Sequence, residues 1–190
     1  MLALGDHAPS LELPDAATGE SVTDPWREGP VVLAFFKTTC PVCQMAAPKV
    51  QALAEAGVCV VAVGEDPPPE IRAYADRHGQ KVTTLSEPAP YPVSDAFGID
   101  TVPTLFRVDD DGTVRDAVVS WDRPEWNRFA EAAGGGRRVR GGRRSPSVPP
   151  RLKQPQRLTR SGQHAPRPRR RPTGVRRGLA GGCSRRGWRT

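Results

Sequence analysis

The sequence predicts an α/β domain, a mixed sheet with helices on both faces, followed by a long tail that forms no core. Three observations lead there. Short apolar runs alternate with segments of helical periodicity. The last two strand-like runs are separated only by a tight turn, and a helical segment follows them. After residue 133 the composition shifts abruptly to Arg, Pro and Gly.

The elements follow in chain order. Leu11 to Thr23 reads as a small β-hairpin around Thr18-Gly19. Val31 to Phe36 is a continuous apolar run, as a strand buried on both faces requires. Pro41 to about Ala56 has Val42, Met45, Ala46, Val50, Leu53 and Ala54 near helical spacing, and Gly57 stops it. Val58 to Val63 is a second buried strand. Glu70 to His78 is a helix, preceded by three prolines and stopped by Gly79. Val82 to Leu85 is a short strand, and Pro92 to Phe97 a short helix ended by Gly98. Thr104 to Val108 and Thr113 to Ser120 form a hairpin about the Asp109-Asp110-Asp111-Gly112 turn. That turn lacks the later ligands of a calcium loop. Asp122 caps a last helix from Arg123 to Ala133, with Pro124 in its first turn.

A chain of 190 residues is long enough for one ordinary domain and an appendage. The formal charge of +7 hides two unlike parts. Residues 1–133 hold all 21 acidic residues and ten of the 28 basic ones. Residues 134–190 hold eighteen basic residues and none that is acidic. We therefore divide the chain into a domain, 1–133, and a tail, 134–190. The tail has no Asp, Glu, Ile, Phe, Tyr or Met, and too little apolar surface to offset the entropy of ordering it. Its arginines would suit nucleic acid or an acidic membrane. Trp188 is its only aromatic, so stacking on bases is unsupported, and we assign no nucleic-acid partner. Arg, Pro, Gly, Ala and Ser dominate out-of-frame translation of GC-rich genes. The tail is read as a disordered extension that fits a frameshift origin.

Met1 to His7 has no basic n-region and no apolar h-region. The run from Val31 to Phe36 is far shorter than the roughly 20 residues of a membrane-spanning helix. The expectation is a cytoplasmic protein without a membrane span, unless an upstream leader is missing.

The four cysteines are Cys40, Cys43, Cys59 and Cys183. One tight pair and two singles do not make a disulfide framework. Cys59 sits in an apolar run and reads as an inert core residue, and Cys183 has no evident partner. Cys40 and Cys43 stand at a helix start, between the strand ending at Phe36 and the next helix. Chemistry in such sheets gathers at the carboxyl ends of strands. Unpaired N–H groups and the positive helix end favour thiolate at the first cysteine. Cys40 is thus the candidate nucleophile, and Cys43, one turn deeper, the resolving thiol. A zinc site would want four ligands, and His7, His78 and His164 are scattered. The reading calls for no metal and no cofactor.

Val31 through Pro48, VVLAFFKTTCPVCQMAAP, resembles the thioredoxin superfamily, with its apolar strand, its CxxC and a proline five residues after the second cysteine. Thr101-Val102-Pro103-Thr104 is similar to the family's cis-proline loop. The resemblance implies a cis-Pro103 packed against the cysteines and a Val102 backbone that pairs with an extended substrate. The opening Gly5-Asp6-His7-Ala8-Pro9, followed by Leu11-Glu12-Leu13-Pro14-Asp15, resembles TlpA-like and AhpC-TSA-like redoxin domains. The likeness covers roughly residues 3–133. It implies a thioredoxin-like thiol–disulfide oxidoreductase. The partners it implies are a protein or small-molecule disulfide or dithiol and an electron donor or acceptor.

Two departures matter. Ala34 stands where thioredoxins often carry a buried Asp, and Thr39 where an aromatic precedes the first cysteine. Glu65 and Asp66 follow the second strand on the edge that carries the cysteines. One of them is a candidate proton acceptor for Cys43, although a solvated loop pair is the simpler reading. Lys37 is read as a surface lysine, and Trp26, Trp121 and Trp126 as packing residues. The alternative function is a thiol peroxidase. The peroxiredoxin pattern would need Pro at Phe36 and Thr at Cys40, and an Arg where Val102-Pro103 stands.

Overall fold

The computed structural model describes residues 1–134. The reading of 134–190 as a tail falls, beyond Gly134, outside the described residues.

Two strands open the chain: β1, Glu12–Pro14, and β2, Ser21–Thr23, paired antiparallel. Their turn is built by Asp15, whose carboxylate accepts from the amides of Ala17 at 2.7 Å and Thr18 at 3.2 Å. Gly19 supplies the positive φ of 77° that closes it.

The main sheet contains β3 (Val31–Phe36), β4 (Val60–Gly64), β5 (Thr83–Ser86), β6 (Thr104–Val108) and β7 (Val114–Val119). Its strand order is β5-β4-β3-β6-β7. β4 is parallel to both β3 and β5, whereas β6 and β7 are antiparallel to their neighbours. The sheet is therefore mixed. All six residues of β3 are buried, which explains its unbroken apolar sequence.

The period of two along β3 divides the core. Val32, Ala34 and Phe36 face α1 (Pro41–Glu55), α2 (Pro68–His78) and α4 (Arg123–Ala132), with Ala46, Val50, Tyr74 and Trp126 among the residues they meet. Val31, Leu33 and Phe35 face the other layer. There the N-terminal hairpin, Trp26 and the short α3 (Pro92–Ala96) cover the sheet. Helices thus lie on both faces, but the second face is closed largely by the N-terminal segment.

Two boundaries differ from expectation by two residues. α2 begins at Pro68, two residues early, because proline lacks an N–H that the first helical turn would leave unpaired anyway. β4 begins at Val60 because the Val58 amide is bonded to Leu53 O at the end of α1. Cys59 therefore lies just outside the strand and is half-buried. β4 ends at Gly64, where a Cβ would stand 2.8 Å from Ile71 Cδ1 and 3.0 Å from Phe36 Cζ. No helix of the described residues is long and apolar enough to cross a membrane.

Candidate active site

The chain leaves β3 at Phe36 and enters α1 at Pro41, so residues 37–40 form a short loop at the carboxyl edge of the sheet. Backbone and side-chain bonds fix it from two sides. The Thr38 amide donates to Asp66 Oδ2 at 2.6 Å, and Gln44 Nε2 donates to Thr38 O at 2.9 Å. The Cys40 amide closes a turn onto Lys37 O at 3.1 Å.

Cys40 is the N-cap of α1: its Sγ accepts the Cys43 amide at 3.3 Å. A sulfur so placed meets the unpaired donors and the positive end of the helix. Pro41 follows at N1, where its missing N–H costs nothing. Cys40 is partly exposed, whereas Cys43 is 1% exposed, and both are free thiols. Burial pushes the Cys43 thiol well above the ordinary thiol range.

Opposite the pair runs the loop before β6. The Val102–Pro103 bond is cis, as the resemblance implied. Cys40 Sγ lies 3.7 Å from Val102 O, within sulfur hydrogen-bond reach. Pro103 is buried, and its carbonyl accepts the Ser120 amide at 2.7 Å. Thr104 Oγ1 donates to Thr101 O at 2.6 Å and tightens the same loop. The four expected site residues, Cys40, Cys43, Val102 and Pro103, are thereby brought together across the sheet edge. Next to Val102 a cleft of about 390 Å3 is lined by Glu65, Tyr91, Ser94, Asp100 and Thr101.

The acidic pair beside the site is not the solvated loop pair that its sequence suggests. Asp66 is 8% exposed and holds the Thr38 amide. The Glu65 side chain is 14% exposed, and its Oε2 lies 3.9 Å from Lys37 Nζ. Burial raises the Glu65 carboxyl, and the Lys37 ammonium partly offsets this. Lys37 is likewise no free surface lysine. Its Nζ donates to Tyr91 Oη at 2.9 Å and lies 4.6 Å from the Tyr91 ring centre. Sequence reasoning missed Tyr91 and Glu87 altogether. Glu87 is 1% exposed and accepts from the amides of Val93 and Ser94 and the Ser94 hydroxyl. A second cis bond, Ala89–Pro90, lies in the same connection and was equally unmarked. Among the described residues no group of three or more His, Cys, Asp or Glu is placed to hold a metal ion.

The model of the AhpC/TSA family matches residues 4–117. The chain belongs to the AhpC/TSA family. Methylamine utilization protein MauD of Paracoccus versutus is 28% identical over 132 residues, covering 68% of this chain. The chain spans 65% of the length of that curated relative. Among solved structures, a thiol:disulfide interchange protein DsbE from Chlorobium tepidum is 26% identical, with a TM-score of 0.60, covering 72% of this chain and 100% of that one. Peroxidoxin BcpB from Mycobacterium tuberculosis is 26% identical, with a TM-score of 0.60, covering 74% and 100%. By family, fold and cysteine pair, the described part of this AhpC/TSA chain is a thioredoxin-like redoxin domain with a CxxC pair of free thiols.

The expectation of a cytoplasmic protein is overturned. A secreted Mycobacterium tuberculosis disulfide oxidoreductase homologous to Escherichia coli DsbE shares this fold, with a TM-score of 0.56 at 18% identity, covering 64% of this chain and 95% of that one. The expectation rested on the residues near Met1, which show no basic n-region and no apolar h-region. Thiol–disulfide exchange also operates in oxidising compartments, so the pair carries no such address.

Proposed function

We propose that the protein exchanges disulfides and dithiols with protein or small-molecule partners through the Cys40–Cys43 pair. The observation that carries this is the unequal placement of the two sulfurs. Cys40 is partly exposed on a helix N-terminus beside Val102 O, and Cys43 is buried one turn below.

Cys40 thiolate attacks one sulfur of the substrate disulfide, and a substrate thiolate leaves. The Val102 backbone aligns an extended substrate segment, and buried Pro103 holds that backbone against the sulfurs. The cleft beside Val102 leaves room for a neighbouring substrate side chain. Cys43 then attacks Cys40, the intramolecular disulfide forms and the second substrate thiolate leaves. The same steps run backwards when the pair is the oxidant. A distinct electron donor or acceptor resets it. The working domain is residues 1–133.

The likeness to Peroxidoxin BcpB favours a second reading, a thiol peroxidase. The groups that would position a peroxide are replaced by Phe36, Cys40 and the Val102-Pro103 turn. Stopped-flow oxidation of the reduced full chain separates the readings. Disulfide exchange predicts faster thiol loss with oxidised glutathione than with hydrogen peroxide at equal concentration. The reverse order would establish the peroxidase.

A further inference from the structure

The exchange requires Cys43 to lose a proton, and its surroundings offer nothing to take it. The thiol sits over a crevice lined by Ala34, Ala46, Val50, Ala62 and Leu105, with room for at most about one water molecule. The polar groups at its margins are already engaged. From α2, the Tyr74 hydroxyl donates to Cys43 O at 2.7 Å. Gln80 Nε2 donates to Thr84 Oγ1 at 3.4 Å, and from α4, Trp126 Nε1 donates to Ser120 O at 2.9 Å.

The charged groups near the thiol do not help. In the loop before α1, the Lys37 ammonium turns to Tyr91 and Glu65. Asp66, after β4, is bound to the Thr38 amide. Glu65 leaves β4 on the other face: alternation places Ala62 beside Cys43, but Val61 and Val63 in the opposite layer, where Glu65 meets Ser94. Its negative charge, like that of a Cys40 thiolate, opposes ionisation of Cys43.

We infer that no group of the described domain accepts the Cys43 proton, so the mixed disulfide on Cys40 is long-lived and resolves only as hydroxide removes that proton. The inference rests on the proposed roles of Cys40 and Cys43. In the first step the Cys40–substrate S–S bond forms, the substrate S–S bond breaks and one substrate thiolate leaves. In the second, hydroxide takes the Cys43 proton and becomes water. Cys43 thiolate attacks Cys40 sulfur, the Cys40–Cys43 bond forms, the Cys40–substrate bond breaks and the second thiolate leaves. The substrate gains the two electrons that the cysteine pair loses. Between the steps the protein holds its substrate covalently.

The test uses the full chain, reduced and loaded with oxidised glutathione at low pH, then jumped to higher pH. Acid quenching and peptide mass mapping follow the glutathione adduct on Cys40. Its decay rate should rise about tenfold per pH unit from roughly pH 6 to pH 9, without a plateau, because thiolate is the attacking form. A plateau below pH 8 would mean that Cys43 is already ionised there or that a protein group takes its proton, and either would overturn the inference. Ala34→Asp places a carboxylate in the crevice and should speed decay at pH 7 by about 10²-fold, within the range of a positioned base. A folded Ala34→Asp variant that decays no faster than wild type would overturn the inference. Glu65→Gln should decay no more slowly than wild type, and slower decay would make Glu65 the missing base. If neither adduct nor Cys40–Cys43 disulfide forms, the exchange reading itself fails, and this inference with it.

Discussion

The structure predicts that the loss of Glu87 is strongly destabilising. Its carboxylate is buried in the connection between β5 and α3 and takes three donors from the first turn of α3. Glu87→Ala removes all acceptors at once. The Ser94 hydroxyl can rotate, but the amides of Val93 and Ser94 cannot. Each buried amide left unpaired costs about 1–3 kcal/mol, so the expected loss is about 4 kcal/mol once the vacated volume is included. At about 3–4 °C per kcal/mol for a domain of this size, the midpoint should fall by about 12–16 °C. Glu87→Gln keeps one oxygen for the amides and lets the Ser94 hydroxyl accept from its NH2 group. It loses only the charge-assisted part, about 1–2 kcal/mol, or about 3–8 °C. Thermal and urea unfolding of the full chain and the two variants would measure this. An alanine variant within about 1 kcal/mol of wild type, or a glutamine variant as damaging as alanine, would refute the reasoning.

Other outcomes follow from the same geometry. Cys43→Ser should leave the first exchange intact and trap disulfide substrates on Cys40, visible as an adduct in non-reducing mass spectra; release at the wild-type rate would contradict the assignment of roles. Arg128 Nη1 and Nη2 lie 2.8 and 3.0 Å from the two oxygens of Asp116, which is 5% exposed. Arg128→Ala should therefore cost about 1–2 kcal/mol in urea unfolding, less than a buried pair because the arginine is half exposed. Burial raises both Cys43 and Tyr74 above their unfolded values. Unfolded Cys and Tyr ionise near about pH 8.5 and 10 while the folded groups stay protonated, so stability is full below about pH 8.5 and falls above it. The slope is up to about 1.4 kcal/mol per pH unit for each group. Urea unfolding of the reduced chain should show it, and Cys43→Ala should remove the part that begins near about pH 8.5.

Features visible in the sequence were those that local pattern controls. Six consecutive apolar residues, rich in Val and Phe and too few for a typical helix, fit a strand with both faces covered, and β3 is one. Asp122 three residues before Glu125 reads as a cap, and its carboxylate accepts the Glu125 amide at 3.0 Å. Asp109 to Gly112 reads as a turn, and the Gly112 amide bonds Asp109 O at 2.9 Å. Cys40, Cys43 and Pro103 were legible through their family pattern, although 60 positions separate the last two. What escaped depends on distant partners. Thr38 and Asp66 are 28 positions apart, and Lys37 and Tyr91 are 54 apart. Nothing near Asp66 in sequence shows that it will buttress the cysteine loop rather than face solvent. Glu87 precedes three prolines in a segment that reads as plain loop, yet the chain folds back so that its carboxylate meets α3. Compartment was misread because no residue of the redox site encodes it.

The most direct test of the central claim is to equilibrate the full chain in glutathione redox buffers and follow the Cys40–Cys43 pair by thiol alkylation and peptide mapping. The account predicts a reversible intramolecular disulfide between these two cysteines, with a midpoint inside the range of about −270 to −120 mV spanned by CxxC oxidoreductases. A pair that stays reduced throughout that range, or oxidises to anything other than the Cys40–Cys43 disulfide, would contradict it.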